Sequence, residues 1–399
     1  MKKLRHVVSA KDFDFISLLE IFRTTAVIKN IYNKPENRTA LSYLLIQNGR
    51  ALRFRILTNA PSTRTISSFE DAIEALGGTV LIQLLQFSSL AKGETYRSTA
   101  RILGPRTDCI IIRDDKNTEA PQEMADAVSI YQLNTVIIDA GSGNKEHPTQ
   151  TLTDLFTVWE RDQKRFESGT LHYALVGDLQ HSRTIHSLLI GLAHFGGTVS
   201  LVGLDEENIP DWILPHLESK KLVVSKFIDP LLIAPSVDYW YFTRLQTNLR
   251  TGSVNHEQET EYTNKYGATE RLRHAMKSNA FILHPLPHGK EYEEGIDLID
   301  PRFIHYQQAD NGFFVRMALL KLIFAAHVDL RIAVADQEKV EISGHFDCVE
   351  IPIRSINAVC VMKSCPQVRI DRNSWVTLHI ETKERIPKPK VFCPRCKPV

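Results

Sequence analysis

Two successive series of short β-prone runs, separated by helical segments, constrain the fold of this chain more than any other feature. The first series occupies residues 52–57, 79–84, 109–113 and 135–140, with helical apolar spacing at 66–76, 95–103 and 122–131. The second series occupies residues 173–176, 198–202, 222–224, 239–242 and 280–283. Strands that alternate with helices form parallel sheets covered by helices on both faces. The pattern therefore predicts an α/β protein with two doubly wound parallel-sheet domains and a ligand cleft between them.

The charge balance and the apolar stretches argue against several classes of partner. The 399 residues include 48 basic and 47 acidic ones, a net charge of +1, so no overall field favours nucleic acid or an anionic membrane. The most apolar late stretch, 317–330, is too short for a membrane span and contains Lys321 and His327. No apolar segment typical of a signal peptide follows the basic N-terminus. We expect a cytoplasmic protein that binds neither nucleic acid nor membrane.

A hydroxyl-rich stretch with one arginine, Ser62-Thr63-Arg64-Thr65, lies where the first strand turns into a helix. The unpaired N–H groups and the positive dipole end of that helix, together with the guanidinium, form a cradle for a phosphate or another oxyanion. The alternative is an ordinary N-cap, which is the common role of Ser and Thr before helices.

Further polar residues follow other strands of the first series: Ser88 and Lys92 in a loop before the helix at 95, Arg113 after an apolar run, and His147 with Gln150. Because a proline follows His147, this histidine is expected near a helix N-cap, where the dipole keeps the imidazole neutral. Gln150 lies one turn further along the same face. The alternative for each is a solvated or purely structural side chain.

The second series has its own polar strand ends. Arg183 begins a helix after a tight turn, and Arg244 and Gln246 follow another strand. Two such arginines can each bind a carboxylate through two hydrogen bonds, although either one could instead pair with a nearby surface acid. A His-Pro-Leu-Pro loop that includes Leu286 and Pro287 is braced by its two prolines, so its backbone carbonyls are held rigidly unless it is a plain turn.

Four cysteines near the C-terminus carry the sharpest single signal. Two pairs, Cys360 with Cys365 and Cys393 with Cys396, flank a β-rich stretch at 368–380. Four thiolates with this spacing suit a tetrahedral Zn²⁺ ion, and the alternative is two disulfides, which a reducing cytosol disfavours. We therefore expect a small C-terminal β-rich zinc-binding domain.

Taken together, the motifs from Ser62-Thr63-Arg64-Thr65 to the loop at Leu286 resemble the catalytic chain of the aspartate carbamoyltransferase family, over about residues 5–330. The tail resembles the zinc-binding domain of that enzyme's regulatory chain, here fused to the catalytic chain. The resemblance implies a carbamoyl phosphate-binding domain at 1–148 with a returning helix at 308–330, and an aspartate-binding domain at 149–307. A linker at 331–354 would then lead to the zinc-binding domain at 355–399.

The same resemblance implies transfer of a carbamoyl group from carbamoyl phosphate to L-aspartate in pyrimidine biosynthesis, with a structural zinc and no cofactor in the chemistry. Phosphate and carbamoyl contacts would come from Ser62, Thr63, Arg64, Thr65, Arg113, His147, Gln150, Leu286 and Pro287. Aspartate contacts would come from Lys92, Arg183, Arg244 and Gln246. Ser88 and Lys92 would reach a neighbouring subunit's site, where Lys92 joins Arg64, Thr65 and His147 in catalysis. This implies a homotrimer with shared sites, with a dimer of trimers as a further assembly.

Two departures from the family pattern and two rival functions qualify this interpretation. Ala60 and His288 replace a glutamate and an arginine that are usual in the family, which predicts weaker domain closure and a raised KM for aspartate. One rival is an ornithine or other amino-acid carbamoyltransferase, but a cysteine in place of Pro285 and a Ser-Met-Gly loop, which are typical of the ornithine enzyme, are both missing. The other rival is a catalytically silent scaffold with a zinc-ribbon interaction module.

Overall fold

The computed structural model describes residues 5–59, 64–204, 208–217, 222–246 and 256–326, together with short strands in the C-terminal part of the chain. It begins with a long helix, α1 (Phe15–Tyr32), and a small antiparallel hairpin of β1 (Ile46–Gln47) and β2 (Arg50–Ala51). Two parallel sheets follow, each with its own set of helices, so the predicted α/β architecture of two parallel-sheet domains is confirmed.

The first sheet contains four parallel strands in the order β4-β3-β5-β6. The strands are β3 (Arg53–Thr58), β4 (Thr79–Leu84), β5 (Cys109–Arg113) and β6 (Val136–Asp139), and the helices are α2 (Thr65–Ala75), α3 (Tyr96–Leu103) and α4 (Ala120–Ile130). The first four residues of β5 are fully buried because helices cover both faces of the sheet. Thr58 pairs with Arg113 and Ile112 with Asp139, so the carboxyl ends of these strands are level with one another.

The second sheet contains five parallel strands in the order β11-β10-β7-β8-β9. They are β7 (His172–Val176), β8 (Gly197–Val202), β9 (Leu222–Phe227), β10 (Tyr239–Phe242) and β11 (Phe281–Leu283). The accompanying helices are α6 (Arg183–Leu192), α7 (Leu214–Leu217), α8 (His256–Tyr266) and α9 (Glu270–Ala275). Among these strands, the largest difference between predicted and observed bounds is at β9, which continues to Phe227 instead of ending at residue 224.

Two long helices, α5 (Pro148–Glu167) and α10 (His305–Phe324), join the domains. The two helices pack against each other and against α1. Buried residues from the two sheets surround them in one continuous apolar core. Aromatic rings cluster at this junction, with the Phe166 and Phe195 centroids 4.3 Å apart and Phe22 within 6.2 Å of Phe156. Lys29 of α1 donates to Glu160 of α5 at 2.7 Å and to Asn311 of α10 at 2.8 Å. The domains therefore share one apolar core around these two helices.

The C-terminal part contains β12 (Val328–Ile332), which pairs antiparallel with β13 (Val340–Gly344), and a three-stranded antiparallel sheet of β14 (Glu350–Pro352), β15 (Trp375–His379) and β16 (Lys390–Val391). Two of these strands, β13 and β14, fall within the stretch predicted to be a linker. The predicted zinc ligands lie outside the described residues: Cys360, Cys365, Cys393 and Cys396. None of the helices in the described part of the chain has the length and apolar character that crossing a bilayer demands.

Candidate active site

A cavity of about 720 Å³ lies between the two domains, at the carboxyl ends of both sheets. Ten of the residues singled out in the sequence line it: Arg64, Thr65, Arg113, His147, Gln150, Arg183, Arg244, Gln246, Leu286 and Pro287. Ser62 and Thr63 lie outside the described residues. Parallel strands in two sheets, joined through α5 and α10, thus bring side chains that are far apart in sequence into one space.

The start of α2 contributes a guanidinium and a hydroxyl to the cavity. Arg64 is the N-cap residue and makes no side-chain capping bond, while Thr65 is the first helical residue, so neither acts as an ordinary Ser/Thr N-cap. Thr65 is buried, and its Oγ1 lies 3.5 Å from Nε2 of His147. Burial and the facing charge of Arg244 lower the pKa of Arg64. The arginines of the two domains therefore oppose each other across the cavity, where an anion between them would relieve the repulsion.

His147 is the N-cap residue of α5, as expected from the proline that follows it. The ring is 5% exposed, and its Nδ1 has no hydrogen-bond partner among the described residues. Burial, reinforced by the charges of Arg183 and Arg113, holds the imidazole pKa well below its usual range. The ring is therefore neutral at physiological pH and can offer one N–H to a ligand oxygen without bringing a charge into the site.

Gly141 gives His147 the space that it occupies. This glycine has a φ of +95°, and a Cβ built on it would lie 2.7 Å from Cδ2 of the His147 ring. The preceding Asp139 accepts hydrogen bonds from the backbone N–H groups of Gly141 and Ser142 at 2.9 and 2.8 Å. Burial raises the pKa of Asp139 to about 7 in spite of these bonds. The loop after β6 is thus shaped so that its backbone passes directly beneath the imidazole.

Arg113 and Arg183 lie on the same side of the cavity but come from different domains. Burial and the charge of Arg183 lower the pKa of Arg113 to about 10, and Nε of Arg113 lies 3.6 Å from the Asp115 carboxylate. The Arg183 guanidinium donates to the carbonyls of Gly141 and Gly143 at 2.8 and 2.5 Å and lies 3.3 Å from Asp115. Arg183, predicted to bind a substrate carboxylate, is thus bound here to groups of the first domain. A carboxylate ligand would have to replace those carbonyls.

Arg244 and Gln246 follow β10 at the opposite wall. The Gln246 backbone N–H donates to Asp178 at 3.0 Å, and Asp178 also contacts Nδ1 of His181 at 2.9 Å. The Gln246 side chain donates to the carbonyl of Arg244 at 3.4 Å. The buried Asp178 therefore anchors the segment that carries Arg244 to the cavity wall.

Helix α10 lines the cavity with residues that the sequence analysis missed, among them Gln308, Gly312 and Arg316. Their spacing of four residues places them on one face of the helix. Arg316 is 3% exposed, and burial together with the Arg113 charge lowers its pKa to about 9. A Cβ on Gly312 would lie 2.5 Å from Nη1 of Arg316. The signal that could have found them is a periodic set of polar and small residues in an otherwise apolar helix.

The comparisons with known proteins agree with this geometry. The family model for the carbamoyl-P binding domain of aspartate/ornithine carbamoyltransferase matches residues 5–160, and the model for the Asp/Orn binding domain matches residues 170–323. The aspartate carbamoyltransferase catalytic subunit of Picrophilus torridus is 34% identical over 326 residues, which are 81% of this chain and 99% of that protein.

The chain belongs to the aspartate/ornithine carbamoyltransferase family. A second relative, the aspartate carbamoyltransferase catalytic subunit of Methanopyrus kandleri, is 33% identical over 80% of this chain and 97% of its own length. A crystal structure of aspartate transcarbamoylase from Trypanosoma cruzi, in complex with N-(phosphonacetyl)-L-aspartic acid, superimposes with a TM-score of 0.71 and 27% identity, covering 81% of this chain and 96% of that one. These findings confirm the sequence-based prediction of an aspartate carbamoyltransferase.

Two of the predicted site residues do not line the cavity of their own chain. Ser88 and Lys92 do not line it and lie instead beyond the end of β4, where Lys92 is exposed. Ser88 caps a short turn by accepting a bond from the Leu90 N–H at 3.3 Å. The loop that carries them is thus ordered by its own contacts and does not line the cavity of its own chain.

Replacing Gly141 by alanine tests the fit between the loop and His147. The Cβ has to displace the imidazole, and the φ of +95° adds about 1–2 kcal/mol of backbone strain. We expect carbamoyl transfer to fall by about 100-fold, since small displacements of a reacting group have effects of that size.

Gly49→Ala is the matched control, since Gly49 has a φ of +71° but nothing within 4 Å of its Cβ position. Gly49→Ala should lose only the stability that corresponds to backbone strain in a urea titration, and it should keep full activity. Equal activities of the two variants would contradict the proposed contact.

Proposed function

We propose that this chain transfers the carbamoyl group of carbamoyl phosphate to the amino group of L-aspartate, giving N-carbamoyl-L-aspartate and phosphate in de novo pyrimidine biosynthesis. The observation that carries the proposal is the convergence of five arginines on one interdomain cavity: Arg64, Arg113, Arg183, Arg244 and Arg316. The reaction brings together a phosphorylated donor and a dicarboxylate acceptor. A cavity that accumulates this much positive charge suits two such anions.

The donor would bind at the wall formed by the first domain. Ser62, Thr63, Arg64, Thr65 and Arg113 would hold the phosphate, in part through the N–H groups at the start of α2. Arg64, Thr65 and the neutral His147 would donate to the carbonyl oxygen and stabilise the oxyanion that forms there. Preorganised donors of this kind typically contribute about 3–4 kcal/mol each to transition-state stabilisation. Gln150 and the loop of Leu286 and Pro287 would accept bonds from the carbamoyl amide.

The acceptor would bind through Arg183, Arg244 and Gln246. Its amino nitrogen attacks the carbamoyl carbon, the bond from that carbon to the phosphate oxygen breaks, and phosphate leaves with the electron pair while the nitrogen loses a proton. Arg183 would exchange the Gly141 and Gly143 carbonyls for a substrate carboxylate. Ornithine is the weaker candidate because its side-chain ammonium would enter a cavity that already contains five guanidinium groups.

A colorimetric assay of the purified protein tests this choice. With carbamoyl phosphate present, we expect carbamoyl aspartate to form and carbamoyl ornithine to stay at background. Arg244→Ala should raise the KM for aspartate about 10- to 100-fold, the equivalent of one lost charge-assisted pair. Arg50→Ala is the control, since Arg50 pairs with Asp108 on the exposed surface away from the cavity. Preference for ornithine, or inactivity with both amines, would refute the proposal.

We further propose a homotrimer in which Ser88 and Lys92 of one chain complete the site of its neighbour, with pairing of trimers as a further assembly. Support comes from the surface around these residues. Phe87, directly before Ser88, is 81% exposed, and Leu81 and Leu84 on the edge strand β4 are 53% and 44% exposed. Exposed apolar side chains on an edge strand favour coverage by another chain. Lys92 would then contact both carbamoyl phosphate and aspartate.

Mixing two inactive variants tests the shared site. Lys92→Ala and His147→Ala should each be inactive as pure proteins. After unfolding and refolding a 1:1 mixture, about one quarter of the sites in random trimers would combine an intact Lys92 with an intact His147. We expect a corresponding recovery of carbamoyl aspartate formation. If the mixture stays as inactive as its components while refolded wild type regains activity, each chain acts alone.

We also propose that Cys360, Cys365, Cys393 and Cys396 bind one structural Zn²⁺ in a tail similar to the zinc-binding domain of a regulatory chain. The chemistry of four thiolates fits tetrahedral zinc, which would stabilise the tail and take no part in carbamoyl transfer. The proposed compartment is the cytoplasm. Metal analysis should find about one zinc per chain in wild type and a loss in Cys393→Ser. Zinc-free wild type that carries disulfides in this tail would overturn the assignment.

A further inference from the structure

A buried carboxylate on α5 accepts hydrogen bonds from three side chains, two of which line the cavity. Asp154 is 1% exposed, and its Oδ1 accepts from Nε2 of Gln150 at 2.7 Å and from Nε2 of Gln308 at 2.6 Å. Its Oδ2 accepts from the Tyr241 hydroxyl at 2.8 Å. Gln150 belongs to the same helix, Gln308 to α10 and Tyr241 to the second sheet. Asp154 is therefore the point at which α5, α10 and the second domain are joined by hydrogen bonds.

The carboxylate determines which end of the Gln150 amide is available to a ligand. Burial raises the pKa of Asp154 to about 7, and above that pH the ionised carboxylate can only accept, so the amide end that contacts it must be the NH₂ group. The carbonyl oxygen, Oε1, is then the end left for the cavity, which Gln150 lines. Without Asp154 the amide could rotate by half a turn and offer a donor in place of an acceptor.

A second chain of bonds runs from Asp154 to the loop on the other side of the cavity. The backbone N–H of His284 can only donate, and it donates to Oε1 of Gln308 at 2.8 Å, which leaves the Gln308 NH₂ group for Asp154. Nδ1 of His284 in turn accepts from the Leu286 N–H at 2.9 Å. Asp154 is thus bonded directly to one acceptor, Gln150, and is linked through Gln308 and His284 to the loop that carries another, the Leu286 carbonyl.

We propose that Asp154 is a positioning residue that makes the site selective for a donor with an NH₂ group, by fixing the Gln150 oxygen and the Leu286 carbonyl as paired acceptors. This inference rests on the proposed function, since it assumes that carbamoyl phosphate binds in this cavity. Acetyl phosphate has the same phosphate and carbonyl groups but a methyl group in place of NH₂, so it cannot donate to either acceptor. Sites built around such hydrogen bonds discriminate strongly against analogues that lack the donor.

The proposal is tested by the ratio of two constants, namely the inhibition constant of acetyl phosphate as a competitor of carbamoyl phosphate, divided by the KM for carbamoyl phosphate. This ratio measures the preference for carbamoyl phosphate. In Asp154→Ala we expect the preference for carbamoyl phosphate to fall at least about 10-fold, the equivalent of one lost hydrogen bond to the NH₂ group. The inhibition constant of acetyl phosphate should change by less than about 3-fold, since its phosphate and carbonyl contacts are untouched.

Asp154→Asn is the matched isosteric control. Its Oδ1 can still accept from both glutamines, and its NH₂ group can donate to the Tyr241 oxygen, so the preference should stay within about 3-fold of wild type. Thermal unfolding checks that each variant is folded at the assay temperature. If the alanine variant is not, Asp154→Leu, which fills a similar space without any acceptor, replaces it with the same expectation.

Two further comparisons separate the possible outcomes. In a Gln150→Ala background, Asp154→Ala should have a smaller effect on the ratio than it has alone, because both changes remove one interaction. Equal losses for the two phosphates in Asp154→Ala, or strict additivity with Gln150→Ala, would mean that Asp154 only supports the fold. A wild type that is inactive with carbamoyl phosphate would refute the proposed function, whereas an active wild type and an unchanged ratio would refute only this inference.

Discussion

Mutual repulsion among five guanidinium groups in one cavity is the constraint on which the rest of this structure depends. Arg64 and Arg244 face each other from opposite domains, and Arg113 lies near Arg183 and Arg316. Burial, reinforced by these neighbouring charges, lowers the pKa values of Arg64, Arg113 and Arg316. Such an arrangement is unfavourable by itself and becomes favourable when anions bind between the arginines. Asp115 and the Gly141 and Gly143 carbonyls partly compensate for the repulsion at Arg183. The favourable free energy of binding is therefore concentrated at the charged phosphate and carboxylate groups of the substrates.

The packing around α5 determines where those charges meet. The middle of this helix is buried in the apolar core shared by both domains, while its first residues border the cavity. His147, Gln150 and Asp154 lie along its first two turns, so a change in the relative position of the domains would act directly on the groups expected to touch the donor. Arg183 bridges the domains on the other side through the loop carbonyls. A substrate carboxylate that takes over this guanidinium would therefore couple aspartate binding to the loop that holds His147.

Much of this arrangement could be predicted from the sequence, because a parallel sheet collects the carboxyl ends of its strands at one edge. That rule was enough to predict that Arg113, His147, Arg183 and Arg244 lie together, without knowledge of the packing. It could not find Gln308 or Arg316, since they approach from a helix that returns from the far end of the chain. Nor could it show that Arg183 is occupied by backbone carbonyls, which depends on a loop conformation set by Gly141. Lys92 illustrates another limit, because its expected partner site belongs to a different copy of the chain.

The most direct measurement is a crystal structure of the protein with a stable analogue that joins a phosphonate to an aspartate moiety. We expect the phosphonate to lie within hydrogen-bond distance of Arg64, Thr65 and Arg113, and the two carboxylates to contact Arg183 and Arg244. Arg183 should then have left the carbonyls of Gly141 and Gly143. An analogue bound outside this cavity, or bound inside it while Arg183 keeps both carbonyl contacts and Arg244 touches no carboxylate, would contradict the account.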